Sequence, residues 1–345
     1  MTDVTPVAGL TQAPRLVQLR RGPERQVAVV DDSNLRLLRN CDSVFSIAQE
    51  AIRGGGSFAA LIEERATADA IDYDSVYHCQ SDWRLLSPID HPSEPSRLLV
   101  SGTGLTHLGS AKDRQAMHGV ADSDLTDSMK MFRWGVEGGR PPAGQVGIAP
   151  EWFYKGNGFM LRAHDEALVL PPYGEDGGEE AEIAGVYVIG DDGQPWRIGM
   201  CNGNEFSDHR FEKRNYLNLA SSKIRTCSLG PELVVSPTFD SVAGTVVIER
   251  NGAVVWSKDI VTGEANMSHS LRNMEHHHFK FDNHRRPGDV HVHYFGACSL
   301  SFGEGVALAD GDVMLVCFDG FGRPLRNPLR VDDSSNALIA VQTLA

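Results

Sequence analysis

Short runs of apolar residues, broken by Gly, Pro, Asp and Asn, set the rhythm of this chain. Residues 15–31 (RLVQLRRGPERQVAVVD) predict two short strands around a turn at Gly22-Pro23. Residues 43–68 suggest two helices, SVFSIAQEAIR and SFAALIEERATA, split by Gly54-Gly55-Gly56. The segment 87–97 (SPIDHPSEPSR) is rich in proline and serine and reads as a boundary. It separates a small N-terminal α/β domain, 1–90, from a larger domain, 91–345.

Beyond that boundary the runs have strand length. RLLVSG (97–102) is one; EEAEIAGVYVIG (179–190) and PWRIGMCNGNEF (195–206) flank Asp191-Asp192-Gly193, a hairpin signal. ELVVSPTF, GTVVIERNG, AVVWSKDI, GDVHVHYFG and GDVMLVCFDGFG follow, interrupted by a helix near residues 267–281. Gly-Asp-Val opens an apolar run at 288–290 and again at 311–313, a turn-then-strand signature and not a repeat. The expected fold class is α+β, mainly β, with a mixed β-roll or barrel-like core.

Composition narrows the function. A net charge of −14 over 345 residues gives a nucleic-acid role little electrostatic support. A small anionic substrate stays open, because local cations and a metal override the mean field. Cys41, Cys79, Cys201, Cys227, Cys298 and Cys317 form no CxxC pair, so neither a zinc ribbon nor a thioredoxin motif is indicated. No stretch approaches the roughly 20 apolar residues of a membrane helix, and the N-terminus lacks a signal pattern. The expected compartment is the cytoplasm.

One pattern carries candidate chemistry. Residues i and i+2 of a strand share a face, so Glu180 and Glu182 project together. A hairpin closing around Asp192-Gly193 puts residue 180 opposite about residue 205, which adds Glu205. Three carboxylates on one patch repel unless a cation neutralises them, and all-oxygen ligation suits magnesium, manganese or calcium. The competing reading is a solvated acidic hairpin, and a one-residue slip would exchange Glu180 for Glu179. A non-enzymatic rival is a metal-binding module built on His269, His276, His277, His278, His284, His291 and His293. Against it, consecutive histidines on a helix point in different directions. Gly102-Thr103-Gly104 with Gly109 lacks the third glycine of a dinucleotide fingerprint, and neither a phosphate loop nor a G-x-S-x-G elbow is present. Phe132, Trp134, Trp152, Phe153 and Tyr154 are core or pocket-wall candidates, and residues 103–145 a candidate lid.

The segments EEAEIAGVYVIG, CNGNEFSDHR, SSKIRTCSLGP, RPGDVHVHYFG and ADGDVMLVCFDGFGRPLRNP resemble, in order and spacing, the fumarylacetoacetate hydrolase family over residues 85–330. The resemblance implies that Glu180, Glu182 and Glu205 ligate Mg2+ (or Mn2+), with Glu205 where the family carries aspartate. It implies that Lys223 and His107 are catalytic and that Lys155, Ser207, Phe295 and Gly296 bind substrate. Two departures weigh against carbon–carbon hydrolysis: Ser110 stands where hydrolytic members carry a glutamate, and the family's T-G-T-P turn is replaced near His293-Tyr294-Phe295-Gly296. The GNEFSDH and MEHHHFKFDNHRRPGD stretches resemble a sugar-acid branch that includes dehydratases of 2-keto-3-deoxy pentonates. The implied reaction is loss of water from such an acid through an enolate at C3, giving 2,5-dioxopentanoate. Hydrolysis of an acylpyruvate or 2,4-diketo-3-deoxy acid is the alternative, and a homodimer or larger homo-oligomer is expected from the same resemblance.

Overall fold

The computed structural model describes residues 13–108 and 126–344; Gly109 and Ser110 lie outside the described residues, with the central part of the candidate lid. Arg15–Arg21 and Glu24–Asp31 pair antiparallel across Gly22, as the turn signal predicts. Helix Val44–Gly54 begins on Ser43, whose side chain accepts from Ser46 N, and stops at Gly55 in the left-handed region. Helix Phe58–Arg65 is capped in the same way by Ser57 but ends before Ala66. The expected helical tail is instead the strand Ala66–Asp72, paired antiparallel with Asn34–Leu38. A neighbouring strand edge outweighs the helix preference of this short alanine-containing segment.

The larger sheet has thirteen strands. Its main path runs Ala66–Asp72, Asn34–Leu38, Glu24–Asp31, Arg15–Arg21, Leu233–Val234, Pro195–Asn204, Ala181–Ile189, Val290–Tyr294, Leu98–Gly104 and Glu151–Asn157. Strands of the first forty residues therefore continue directly into the C-terminal ones. Of ELVVSPTF only Leu233–Val234 is strand. A second sheet of five holds Ala253–Thr262, Val242–Arg250, Val313–Phe318, Leu325–Val331 and Leu168–Leu170. Its hairpin turns on Asn251 and Gly252, with φ of 53° and 77°, as a tight primed turn requires. Helix Leu271–Phe279 lies inside the predicted stretch, and helix Asp127–Gly138 falls in the segment read as a lid.

Strand Ala181–Ile189 is buried along its whole length because both faces meet apolar cores. Ala184, Val186 and Val188 join one core with Cys201, Leu229 and Val292, while Ile183 joins another with Val246, Phe295 and Val316. Each such branched side chain contributes about 1.5–3 kcal/mol on burial. The alternation that sets Ala184 and Val186 inward also fixes the direction of Glu182 and Glu180. Among the described residues no helix is long and apolar enough to cross a membrane.

Candidate metal centre

The hairpin ladder runs past its strands. Glu182 faces Gly203 and Ala181 faces Asn204; Glu205 N then donates to Glu180 O at 3.0 Å, and Gly178 and Ser207 exchange two bonds of 3.0 Å. Glu205 therefore sits opposite Glu180. The three carboxylates Glu180, Glu182 and Glu205 are buried, each with an oxygen within 4.8 Å of one on the others. Glu179 points the other way, its oxygens accepting from Ser301 N and Oγ at 2.7 Å each. That settles which glutamate belongs to the cluster.

Missing side chains make room over this face. A Cβ on Gly102 would lie 2.4 Å from the Phe153 ring, and one on Gly203 2.5 Å from the Tyr294 ring. The Phe153 ring carries Lys223 Nζ 4.7 Å from its centroid. Lys155 closes the chamber from strand Glu151–Asn157, four strands away from Pro195–Asn204. A flat sheet would separate those strands by about 19 Å, yet Lys155 Nζ is 2.8 Å from Glu205 Oε1. The sheet is therefore curled into a roll. Lys155 is also the extra residue of a bulge, between Tyr154 opposite Ser101 and Gly156 opposite Val100, and the bulge re-aims its side chain.

Lys223, at the end of the short helix Leu219–Ser222, donates to Glu180 Oε1 at 2.6 Å, Glu205 Oε2 at 2.5 Å and Ser207 Oγ at 2.9 Å. Both lysines are fully buried. Burial and the neighbouring Glu205 and Glu180 charges push the Glu182 carboxyl well above its usual range. Burial and Glu180 raise Glu205 despite the two lysines. Burial opposes ionisation of Glu180 too, but Lys223 and His209 outweigh it and hold that carboxyl well below the usual range. Burial lowers Lys155, and Glu205 only partly compensates. Three carboxylates against two ammonium groups leave a dry, oxygen-lined cluster short of positive charge. A hard divalent cation such as Mg2+ or Mn2+ fits that donor set.

The other candidates divide. Ser207 Oγ lies 3.1 Å from both Glu205 oxygens and accepts from Lys223. Gly296 N donates to Glu182 Oε2 at 2.6 Å, and its φ of 97° with Thr106 Oγ1 2.1 Å from an added Cβ explains the glycine. Phe295 points to the opposite face, where its ring packs on Phe239 in the second core. His107 is buried beside this turn. Thr106 spends its hydroxyl proton on Phe295 O (2.7 Å), so it accepts from His107 Nδ1 (2.9 Å), and His107 Nε2 accepts from Thr262 Oγ1 (3.0 Å). Burial drives the His107 pKa down to about 4. No described contact joins it to the carboxylates.

Three residues escaped the sequence reading. His209 Nε2 lies 3.1 Å from Glu180 Oε1, and Asp176 stands behind it. Glu151 is buried, accepts from the Tyr216 hydroxyl at 2.7 Å, and shares a face with Phe153 by strand alternation. Counting back from Lys155 by twos would have flagged it. Of the five aromatic candidates, Phe153 alone touches a site side chain among the described contacts; Trp152 donates to His278 behind the sheet, and Trp134 and Tyr154 are exposed.

The histidine-rich segment does not make a second metal site. His276 is exposed, His277 bonds Gly147 O, and His278 turns inward to His284, His291 and His293. His278 Nε2 and His291 Nδ1 are 2.9 Å apart, a hydrogen bond between rings. Among the described residues, the three glutamates are the only cluster with metal-ligand geometry.

No protein-family model matches the sequence, and no curated protein matches it. Solved structures do resemble the fold. A hexagonal crystal form of 2-keto-3-deoxyarabinonate dehydratase superposes with a TM-score of 0.69 at 20% identity, over 92% of this chain and 99% of the other. 2-Keto-3-deoxy-D-arabinonate dehydratase complexed with magnesium and 2,5-dioxopentanoate gives 0.68 at 19% identity, over 93% and 100%. The 5-carboxymethyl-2-hydroxymuconate delta-isomerase from Mycobacterium smegmatis gives 0.54 at 16%, over 92% and 100%. The fold of this chain is the one these proteins share, the fold that its resemblance to the fumarylacetoacetate hydrolase family implies.

Proposed function

We propose that this chain is a fumarylacetoacetate hydrolase-like lyase that removes water from a 2-keto-3-deoxy sugar acid with the help of a divalent cation. The observation that carries the reading is the buried Glu180–Glu182–Glu205 cluster closed over by Lys155 and Lys223. The likeness to a dehydratase solved with magnesium and 2,5-dioxopentanoate supports the choice of reaction and of a pentonate.

A cation bound by the three glutamates would supply positive charge to the carboxylate and 2-oxo group of the substrate and so acidify C3. The chain's own groups do the rest. Lys155 and Lys223 present fixed charge where negative charge grows on the substrate oxygens. Phe153 covers one side of Lys223 and keeps water from it. Among the described residues Glu151 is a buried carboxylate on the Phe153 face outside the cluster, and we assign it the C3 proton, which then leaves with the C4 hydroxyl as water. The 2-oxo-3-ene that remains loses a proton from its C5 hydroxymethyl carbon to give a dienol, and protons returned to C3 and C4, with loss of the C5 hydroxyl proton, give the semialdehyde. Gly296 N holds Glu182, and His107 braces the Gly296 turn through Thr106, so we assign His107 a supporting place and not proton transfer.

The test is a screen of 2-keto-3-deoxy pentonates and hexonates against acylpyruvates with Mg2+ and Mn2+. Semialdehyde should form from a pentonate, and Glu182→Gln should abolish turnover without unfolding the protein. Unchanged turnover in that variant would sink the assignment. Cleavage of acylpyruvates alone would replace the lyase with a hydrolase.

A further inference from the structure

The Glu180 carboxylate has more support than a ligand in a dry pocket needs from its lysine alone. Lys223 Nζ and His209 Nε2 both approach the same oxygen, Glu180 Oε1, at 2.6 and 3.1 Å. The oxygen they leave is Oε2. The His209 ring stands where the backbone has been stripped to admit it: a Cβ on Gly178 would lie 2.1 Å from His209 Nδ1. Phe302 packs on the ring at a centroid distance of 5.3 Å. Behind it, Asp176 Oδ2 is 4.0 Å from Nδ1, and both atoms are buried with no hydrogen-bond partner. Asp176 is pinned in turn by Arg225, which donates to its carbonyl at 2.6 Å and to Asp208 Oδ2 at 2.9 Å.

A histidine held for packing alone would not aim one nitrogen at a cluster carboxylate and the other at a second buried carboxylate. We propose that His209, backed by Asp176, is a positioning residue that clamps one oxygen of Glu180 so that the other stays turned toward the cation. This rests on the metal reading given above. A carboxylate with one oxygen tied cannot rotate into bidentate or alternative poses, so the ordering entropy is spent on folding and not on binding. Supporting hydrogen bonds of this kind change metal affinity about 10–100-fold when removed.

The experiment is Mn2+ titration of the full chain, followed by electron paramagnetic resonance of free Mn2+, with no substrate present. Wild type should bind one equivalent. His209→Phe keeps the ring volume and loses the donor, and should weaken binding by about 10–100-fold. His209→Gln offers an amide donor near the same place and should recover most of that loss. Asp176→Asn should weaken binding by a few-fold. Equal affinity in His209→Phe, or a Gln variant no better than Phe, overturns the clamp. Should His209→Phe fail to fold, Gln and Asp176→Asn decide: full wild-type affinity in Asp176→Asn overturns the role of Asp176. Absence of Mn2+ binding by wild type overturns the metal reading itself, a separate result.

Discussion

Mild acid should destabilise this protein for a reason visible behind the sheet. Trp152 Nε1 can only donate, so His278 Nδ1, 3.2 Å away, accepts from it. His278 then carries its proton on Nε2 and donates to His291 Nδ1 at 2.9 Å. A proton added to His291 would land on Nδ1 and face that N–H; one added to His278 would land on Nδ1 and face the indole. His293 is held between Ser101 Oγ (2.9 Å) and Thr103 Oγ1 (2.7 Å). Among the described contacts of these rings there is no carboxylate to welcome a positive charge.

Burial, reinforced by the neighbouring histidines, pushes His291 down to about 3, and burial with His284 does the same to His293. The unfolded chain protonates these imidazoles near pH 6.5. Between the two values it binds more protons than the native state, so stability is full above about 6.5 and falls as the pH drops. By about pH 5 each group costs about 2 kcal/mol, or about 4 kcal/mol for the pair, a large part of an ordinary 5–15 kcal/mol. Urea unfolding at neutral pH and at about pH 5, without metal, measures the loss. His291→Asn keeps an acceptor for His278 Nε2 and removes one titrating group, so it should lose about 2 kcal/mol less than wild type over that interval. A variant with the wild-type pH dependence would refute the buried-neutral account; the comparison cancels the raised Glu182 and Glu205 carboxyls, whose effect on stability has the opposite sign over this interval.

Further outcomes can be checked with the same apparatus. Glu182→Gln keeps an oxygen for Gly296 N and removes the carboxyl whose ionisation burial and its two neighbours oppose, so the metal-free variant should be about 1 kcal/mol more stable than wild type by thermal melting. Saturating Mg2+ at about 100 times its Kd should add about 2.7 kcal/mol to wild type and nothing to this variant. Gly296→Ala should cost about 3 kcal/mol in urea, because the left-handed backbone and the Thr106 contact both resist a Cβ. Glu232→Ala should cost about 3 kcal/mol; its buried carboxylate receives Arg15 and Tyr73 at 2.9 Å and Arg323 N at 3.0 Å, joining the first strands to the last turn.

Local signals were legible in the sequence where a few neighbouring residues decide the outcome: the Gly22-Pro23 turn, the Gly54-Gly55-Gly56 break between two helices, the Asp191-Asp192-Gly193 hairpin, and the two-residue alternation that pairs Glu180 with Glu182. What stayed hidden depends on distant partners. Ala66–Asp72 is a strand only because Asn34–Leu38 offers an edge. The imidazole cluster draws on helix Leu271–Phe279 and on strands that carry Ser101, Trp152 and His291, and no window of sequence holds them together. His209 lies four residues past Glu205, yet it reaches Glu180 and Asp176 only because Gly178 carries no side chain in its path, a contact no local pattern reveals.

The pairing of Glu180 with Glu205 was reached from the sequence by two deviations that cancel. The hairpin centres on Asp192, with Gly190 N bonded to Gln194 O and Tyr187 facing Arg197; continued without interruption, that ladder would set Asn204 opposite Glu180. Ile198 is an extra residue, so Val186 faces Gly199 and Glu205 comes into place. The bulge therefore decides whether the third carboxylate joins the cluster or points away from it. Packing then locks the choice. A one-residue slip of Ala181–Ile189 would turn Ile183 toward the lysines and drive Glu182 among Val246, Phe295 and Val316. Leaving a carboxylate unpaired there costs several kcal/mol, on top of the apolar burial lost. The two cores that stabilise the strand are thus also what aims its glutamates, so substitutions at Ala184 or Val186 should register in cation affinity although neither residue belongs to the carboxylate–lysine cluster.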